Sequence, residues 1–188
     1  AGGASGAVSQ ATDANRPTYV TNAVNGKAVL HFDGSNDVLS STSTYTCTGS
    51  SVSAFVVMRR TADSGGYGRS LSFIGPSSGT DYDSTANWCL NNGGSGTTMR
   101  VERSSAHDQG TLPAVNTVYL AEVIFDGSNC TTYINGNQLG SSFSSSGNFN
   151  INKMAVGSGW SGGATPAWCM TGDIGEVIVY NSALSTTD

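Results

Sequence analysis

Residues 118–140 read VYLAEVIFDGSNCTTYINGNQLG, and this stretch decides the fold. Tyr119, Ala121, Val123 and Phe125 share one side of an extended segment, and Val118, Leu120 and Ile124 share the other. Period-two spacing with apolar residues on both sides predicts a strand covered on both faces. Asp126-Gly127 breaks the run, because glycine reaches positive φ without steric cost and aspartate tolerates it. A second strand at 131–134 is closed by Asn135-Gly136, the dipeptide of the two-residue type I′ hairpin. Residues 137–139 begin the return, so the middle of the chain is an antiparallel meander.

The same grammar runs outward from it. The pentapeptide FDGSN stands at 32–36 as well as 125–129, each time after an apolar strand, so one strand-ending reversal is used twice. Residues 18–20 are extended after Pro17, and 28–32 form a strand that resumes at 38–39. The near-continuous apolar run at 52–58 predicts a central strand. Residues 61–69 are a Gly-rich loop containing Tyr67. Residues 70–74 alternate as a strand, and 75–86 are a polar loop. Residues 88–90 and 98–102 form a hairpin, and 104–117 a long connection. Residues 141–147 are too polar for a core. A short strand follows at 154–156, then a Gly/Ser loop at 157–166 carrying Trp160. Strands at 167–170 and 174–180 flank a break at 171–173. Such spacing, with Gly, Asn and Asp turns throughout, predicts an all-β fold: an antiparallel two-sheet sandwich or jelly roll.

Composition agrees. The chain has 188 residues with 25 glycines, and 11% of its residues are charged. That length suits one domain at 17–188, preceded by an extended leading segment at 1–16. The net charge is −5, and the eight basic residues are scattered, so no basic stripe exists to neutralise a nucleic-acid backbone. No apolar run approaches membrane-spanning length. Cys47, Cys89, Cys130 and Cys169 are far apart without a Cys-x-x-Cys pair, which argues against structural zinc. An even count in a Ser/Thr/Gly-rich chain favours an oxidising location and up to two disulfides; four reduced core thiols are the alternative.

In order and spacing, several motifs together resemble the laminin-G-like jelly rolls of the concanavalin A-like lectin/glucanase superfamily. They are Arg16-Pro-Thr-Tyr, residues 26–39 (GKAVLHFDGSNDVL), Phe55-Val-Val-Met, Val123-Ile-Phe-Asp-Gly, Tyr133-Ile-Asn-Gly and residues 172–185 (GDIGEVIVYNSALS). The resemblance covers most of the chain. It implies two curved antiparallel sheets, one convex and one concave, of the kind found in bacterial and phage surface and structural proteins. Such domains usually begin earlier and run on into a short helix, so the chain reads as an excerpt of a longer one.

The superfamily's glucanases set catalytic carboxylates along one strand, as Glu-x-Asp-x-x-Glu or Glu-x-Asp-x-Glu. This chain's three glutamates, Glu102, Glu122 and Glu176, are not so arranged. Asp173 and Glu176 would face opposite ways on a regular strand. His31 lies within a strand. His107 adjoins Asp108 in the expected connection, with no serine in a recognisable nucleophile turn. No catalytic residue is therefore assigned. Calcium is the one ion weighed: Asp33, Asn36 and Asp37 offer hard oxygens, as do Asp81 and Asp83, although Asp-Gly turns need no metal.

Glycan binding rests on aromatic faces flanked by polar groups. Tyr67, Tyr82, Trp88, Trp160 and Trp168 are the candidates, with Asp81 and Asp83 beside them. Trp160, set among Gly and Ser, is expected to be the most exposed. Trp88 and Trp168 each precede a cysteine within a predicted strand, which favours core packing for both. The expectation is a non-catalytic carbohydrate-binding or adhesion module of an extracellular, cell-surface or virion-surface protein, with glycans or neighbouring subunits as partners. The alternatives are a structural subunit of a capsid, tail or filament and, against the carboxylate pattern, a glycoside hydrolase.

Overall fold

The computed structural model describes residues 7–41, 45–63 and 66–185. Strands β1 (Thr18–Val24), β2 (Lys27–Asp33), β3 (Leu39–Ser41), β4 (Ser51–Arg60), β5 (Arg69–Ile74), β6 (Trp88–Asn91), β7 (Thr98–Arg103) and β8 (Ser105–Thr111) make up the first half. In the second half come β9 (Val118–Asp126), β10 (Asn129–Ile134), β11 (Asn137–Gln138), β12 (Phe143–Ser144), β13 (Lys153–Val156), β14 (Gly159–Ser161), β15 (Ala164–Ala167) and β16 (Thr171–Tyr180). They build two antiparallel sheets. One has the order β1-β2-β16-β4-β9-β10-β11, with β12 also on β10; the other has the order β3-β13-β5-β6-β7-β8. The small hairpin β14-β15 stands apart. The protein is an all-β jelly-roll sandwich.

The turns form where the dipeptides demand them. Asn135 and Gly136 have φ of 51° and 77°, the two positive values of a type I′ turn between β10 and β11. Both FDGSN copies fold alike. Asp33 Oδ1 accepts the Ser35 and Asn36 N–H groups, and Asp126 Oδ1 accepts those of Ser128 and Asn129. The aspartate imitates a backbone acceptor and ends the strand.

The core lies between the sheets. Val52, Ala54, Val56 and Met58 of β4 and Tyr119, Ala121, Val123 and Phe125 of β9 face Leu71, Phe73, Trp88, Leu90, Met99 and Val101 of the second sheet. Trp88 is fully buried; it stacks on Phe73 at 4.7 Å and meets Phe125 edge-on at 5.3 Å, joining the two layers. The meander strand β9 is covered on one face only, since Val118, Leu120 and Ile124 are half-buried rather than enclosed. On that outer face apolar side chains cover one another across strands, as Phe55 and Tyr180 do edge-on at 6.2 Å.

Other expectations are corrected. Residues 105–111 are not connection but the edge strand β8 on β7. Their polar run hid it, because an edge strand needs only its backbone partners. The Gly/Ser loop at 157–166 contains the hairpin β14-β15, and Trp160 within it is 4% exposed, packed with Val38, Ile74 and Ala155. Residues 171–173 continue β16 instead of interrupting it. Phe143 in the Ser-rich run joins β12 and stacks on His107 at 3.7 Å. In the leading segment, residues 1–6 lie outside the described residues, Ser9 bridges Ser40, and Asp13–Asn15 is a 3-10 turn.

The expected disulfides are absent: all four cysteines are free thiols. The fold distributes them. Cys89 lies in the six-stranded sheet and Cys130 in the other, while Cys47 bridges Ile151 and Cys169 bonds Ser158. Burial pushes all four thiols up, so they stay protonated.

Gly157 marks the tightest close approach in the core. A Cβ there would lie 2.1 Å from two Phe32 ring carbons, on a backbone with φ +78°. Gly157→Ala should lower stability by about 3 kcal/mol or more, from overpacking added to left-handed strain. Gly136→Ala, whose Cβ meets nothing within 4 Å, should cost only about 1–2 kcal/mol. Denaturant midpoints of the two variants check the difference.

Candidate functional site

The register of the six-stranded sheet writes two rows across its outer face. One is Arg69, Asn91, Arg100 and Asp108; the other is Ser72, Cys89, Glu102 and Ala106. Two irregularities produce this. A shift between Arg69 and Leu71 puts Arg69 outward although Leu71 and Phe73 point inward, and a shift between Met99 and Arg100 sets Asp108 directly opposite Arg100.

Arg69 is the hub. Its side chain is 2% exposed. Nε and Nη2 donate to Asp81 at 3.3 and 3.2 Å, Nη2 also donates to Glu102 at 2.9 Å, and Nη1 donates to the Tyr67 carbonyl at 2.8 Å. Asp81 is fully buried and also accepts from Ser72 Oγ at 2.7 Å and from the Trp160 backbone N–H at 3.3 Å. The Arg69 N–H donates to the Trp168 carbonyl at 2.8 Å, and its guanidinium carbon lies 4.3 Å from the centroid of the Trp168 ring. One cation thus draws together the loop bearing Asp81 and Tyr82, the turn bearing Tyr67 and the segment after β15 bearing Trp168.

Above this hub lies a cavity of about 260 Å³ lined by Tyr67, Arg69, Tyr82, Arg100, Glu102 and Trp168. Tyr67 and Tyr82 are 38% and 40% exposed, and Tyr82 meets Trp168 edge-on at 5.7 Å. Arg100 sits 5.2 Å from the centroid of the Tyr67 ring. It donates to both oxygens of Asp108, at 2.5 and 2.9 Å, and lies 3.5 Å from Glu102. The Arg100 hydrogen bonds hold the Asp108 carboxyl below the ordinary carboxylate range, and Asp108 in turn raises Arg100. Tyr67 and Trp168 have φ of 65° and 49°, left-handed backbone that bulky residues adopt only where the surroundings impose it, a feature that clusters at binding sites. Open aromatic faces beside fixed donors and acceptors suit a flat polyhydroxylated ligand whose C–H face stacks on a ring.

No family model matches the chain, and no curated protein matches it by sequence. Solved structures do. A Ruminococcus gnavus IT-sialidase CBM40 bound to α2,3-sialyllactose matches with TM-score 0.59 and 14% identity over 74% of this chain and 80% of that one. Domain 4 of AbnA, a GH43 extracellular arabinanase from Geobacillus stearothermophilus in complex with arabinotriose, matches with TM-score 0.61 and 14% identity over 91% and 78%. A heptameric SAP-like pentraxin from Limulus polyphemus matches with TM-score 0.60 and 14% identity over 83% and 76%. The likeness is one of fold.

Of the residues singled out from sequence, Tyr67, Tyr82 and Asp81 come together here, Asp81 as a buried anchor rather than a ligand contact. Asp83 accepts from Asn87 and braces the loop. Trp88 lies in the core, and Trp160 supplies a backbone N–H while its ring is covered. Trp168, expected in the core, is half-buried on the cavity wall. Arg69, Arg100 and Glu102 were missed as site residues; the one hint was their charge in a chain with few charges. Asp33 and Asp37 serve their turn, Asp37 Oδ2 accepting the Asp33 N–H, and Asn36 donates to Asn15. Among the described residues no group of three or more His, Cys, Asp or Glu is placed to hold a metal ion.

Two other polar clusters fall elsewhere. On the outer face of the larger sheet, a register shift at Gly175 brings Asp173 and Glu176 to the same groove, but Asp173 is engaged by Arg59 and by His31 Nδ1 at 2.8 Å. On β8, Ser105 Oγ is 2.8 Å from His107 Nε2. The neighbouring carboxylate of Asp108 binds Arg100 instead, so it does not orient the imidazole.

Removing the hub's charge should unfold more than the site. Arg69→Met leaves Asp81 and Glu102 buried without their partner and should cost about 3–5 kcal/mol. Arg100→Met, nearer the surface, should cost about 1 kcal/mol. Chemical denaturation of both variants reads the contrast.

Proposed function

We propose that the protein is a non-catalytic carbohydrate-binding module that takes a glycan into the cavity walled by Tyr67, Tyr82 and Trp168. The single observation that carries this reading is the convergence of three aromatic side chains, two with left-handed backbone, on a rigid floor of paired Arg, Glu and Asp. A sugar's apolar face stacks on an exposed ring while its hydroxyls exchange bonds with Arg100 and Glu102. The sialyllactose and arabinotriose held by modules of the same fold support it. The motif order quoted from sequence supports a laminin-G-like relationship, and the proposed ligand class favours an extracellular or surface location.

Hydrolysis is disfavoured by the same geometry. A glycosidase needs one protonated and one ionised carboxyl flanking the scissile bond. Here Glu102 and Asp81 are both tied to the Arg69 guanidinium, and Asp81 is fully buried, so the two do not flank an open bond-cleaving position.

Screening against a glycan array should give binding that Tyr82→Ala and Tyr67→Ala each weaken about tenfold, the scale of one lost ring contact. Trp160→Ala should reduce stability and leave binding by the folded fraction unchanged. An intact fold that binds no glycan on the array removes this reading.

A second reading, a subunit of a surface assembly, is favoured by the outer face of the larger sheet. There Phe55, Ile124, Tyr133, Ile178, Tyr180 and Leu184 line an open groove of about 470 Å³. It predicts concentration-dependent self-association that Ile178→Asp abolishes; light scattering showing one chain at every concentration removes it.

A further inference from the structure

We infer that the cavity selects uncharged sugars over acidic ones, and that Asp108 sets this selectivity by occupying Arg100. The inference rests on the glycan-binding reading above and specifies its ligand class.

An acidic sugar presents a carboxylate, which an arginine recognises through two parallel N–H groups. In neither arginine of this cavity is the Nε–Nη2 edge unengaged. Arg69 is enclosed, and its three nitrogens are directed at Asp81, Glu102 and the Tyr67 carbonyl. Arg100 is the more accessible of the two, with 18% of its side chain exposed against 2% for Arg69. Its paired edge, Nε with Nη2, is clamped on both oxygens of Asp108, and Nη1 faces Glu102. Counted as a unit, two guanidinium groups meet three carboxylates, Asp81, Glu102 and Asp108, so an incoming anion enters a net negative field. A neutral sugar meets no such opposition. Its hydroxyls can donate to Glu102 and accept from the Arg100 N–H groups that Asp108 leaves over, while a tyrosine face takes the ring.

The clamp depends on register. Asp108 stands opposite Arg100 only because the β7-β8 ladder shifts between Met99 and Arg100. Since Asp108 is half open to solvent, replacing it should disturb the packing little. The same hydrogen bonds hold the Asp108 carboxyl below the ordinary carboxylate range, so the clamp is in place at neutral pH.

The test is a set of matched glycans, each neutral oligosaccharide beside its counterpart bearing a sialic or uronic acid, measured against the native protein and D108N. The native protein should bind the acidic member about tenfold more weakly or worse, a difference that added salt narrows. D108N should shift the ratio about tenfold toward the acidic member, because it frees the Arg100 edge and removes one negative charge. Tighter native binding of the acidic members overturns the inference while leaving the glycan-binding reading intact. So does a ratio that D108N leaves unchanged. Absence of binding to every member overturns both.

Discussion

The cavity depends on one buried cation. Arg69 is held by Asp81 and Glu102 with almost no access to water, and a charge so placed is tolerated only while its partners stay in position. Each partner belongs to a different piece of chain. Asp81 comes from the loop after β5, Glu102 from β7, the Tyr67 carbonyl from the turn before β5, and the Trp168 carbonyl from the segment after β15. None of these loops has an apolar core of its own, so the guanidinium does what hydrophobic contact does between the sheets. The arrangement therefore couples loop order to the site: what fixes the walls is also the floor on which a ligand would rest.

The chemistry of the turns explains why the architecture could be read from the chain. Asn135-Gly136 and the two FDGSN pentapeptides act through local geometry, a pair of positive φ values or an aspartate oxygen within reach of the next N–H groups, and need no information from afar. Apolar runs located β4 and β9, and apolar alternation located β5, for the same reason. Reading failed where a strand's identity lies in its neighbour. Residues 105–111 carry no apolar pattern, and only the backbone of β7 makes them a strand. Glycine and serine around Trp160 suggested an open loop, yet in a two-strand hairpin those residues let the backbone fold back and lay the indole on Val38, Ile74 and Ala155. The doubly apolar β9 suggested full enclosure, but its outer residues are shielded by their cross-strand neighbours alone.

The site was legible by residue type and not by position. Tyr67 and Tyr82 stand in polar loops, and an aromatic ring in such a place asks for something to stack on. Arg69, Arg100 and Glu102 could not be found in that way, because period-two counting from Leu71 and Phe73 assigns Arg69 to the core. A single extra residue in the β5-β6 ladder reverses that assignment, and another at β7-β8 sets Asp108 in place of Gln109 opposite Arg100. Bulges leave little mark in a sequence, and here two of them compose the floor of the cavity.

The scarcity of charge elsewhere sharpens the meaning of this cluster. With 11% charged residues, the chain takes much of its polarity from Ser and Thr hydroxyls and Asn amides rather than from ions. Yet two of the eight basic residues and three of the thirteen acidic ones meet on one outer patch of the smaller sheet. Stability alone does not require it, since apolar side chains of similar volume commonly serve as well as a buried ion pair. What paired charges add is direction. They hold donors and acceptors at fixed angles beneath open aromatic faces, with their net attraction for ions already spent on one another. In the proposed glycan-binding reading, such a surface would turn away acidic ligands by charge and sort neutral ones by the placement of their hydroxyls.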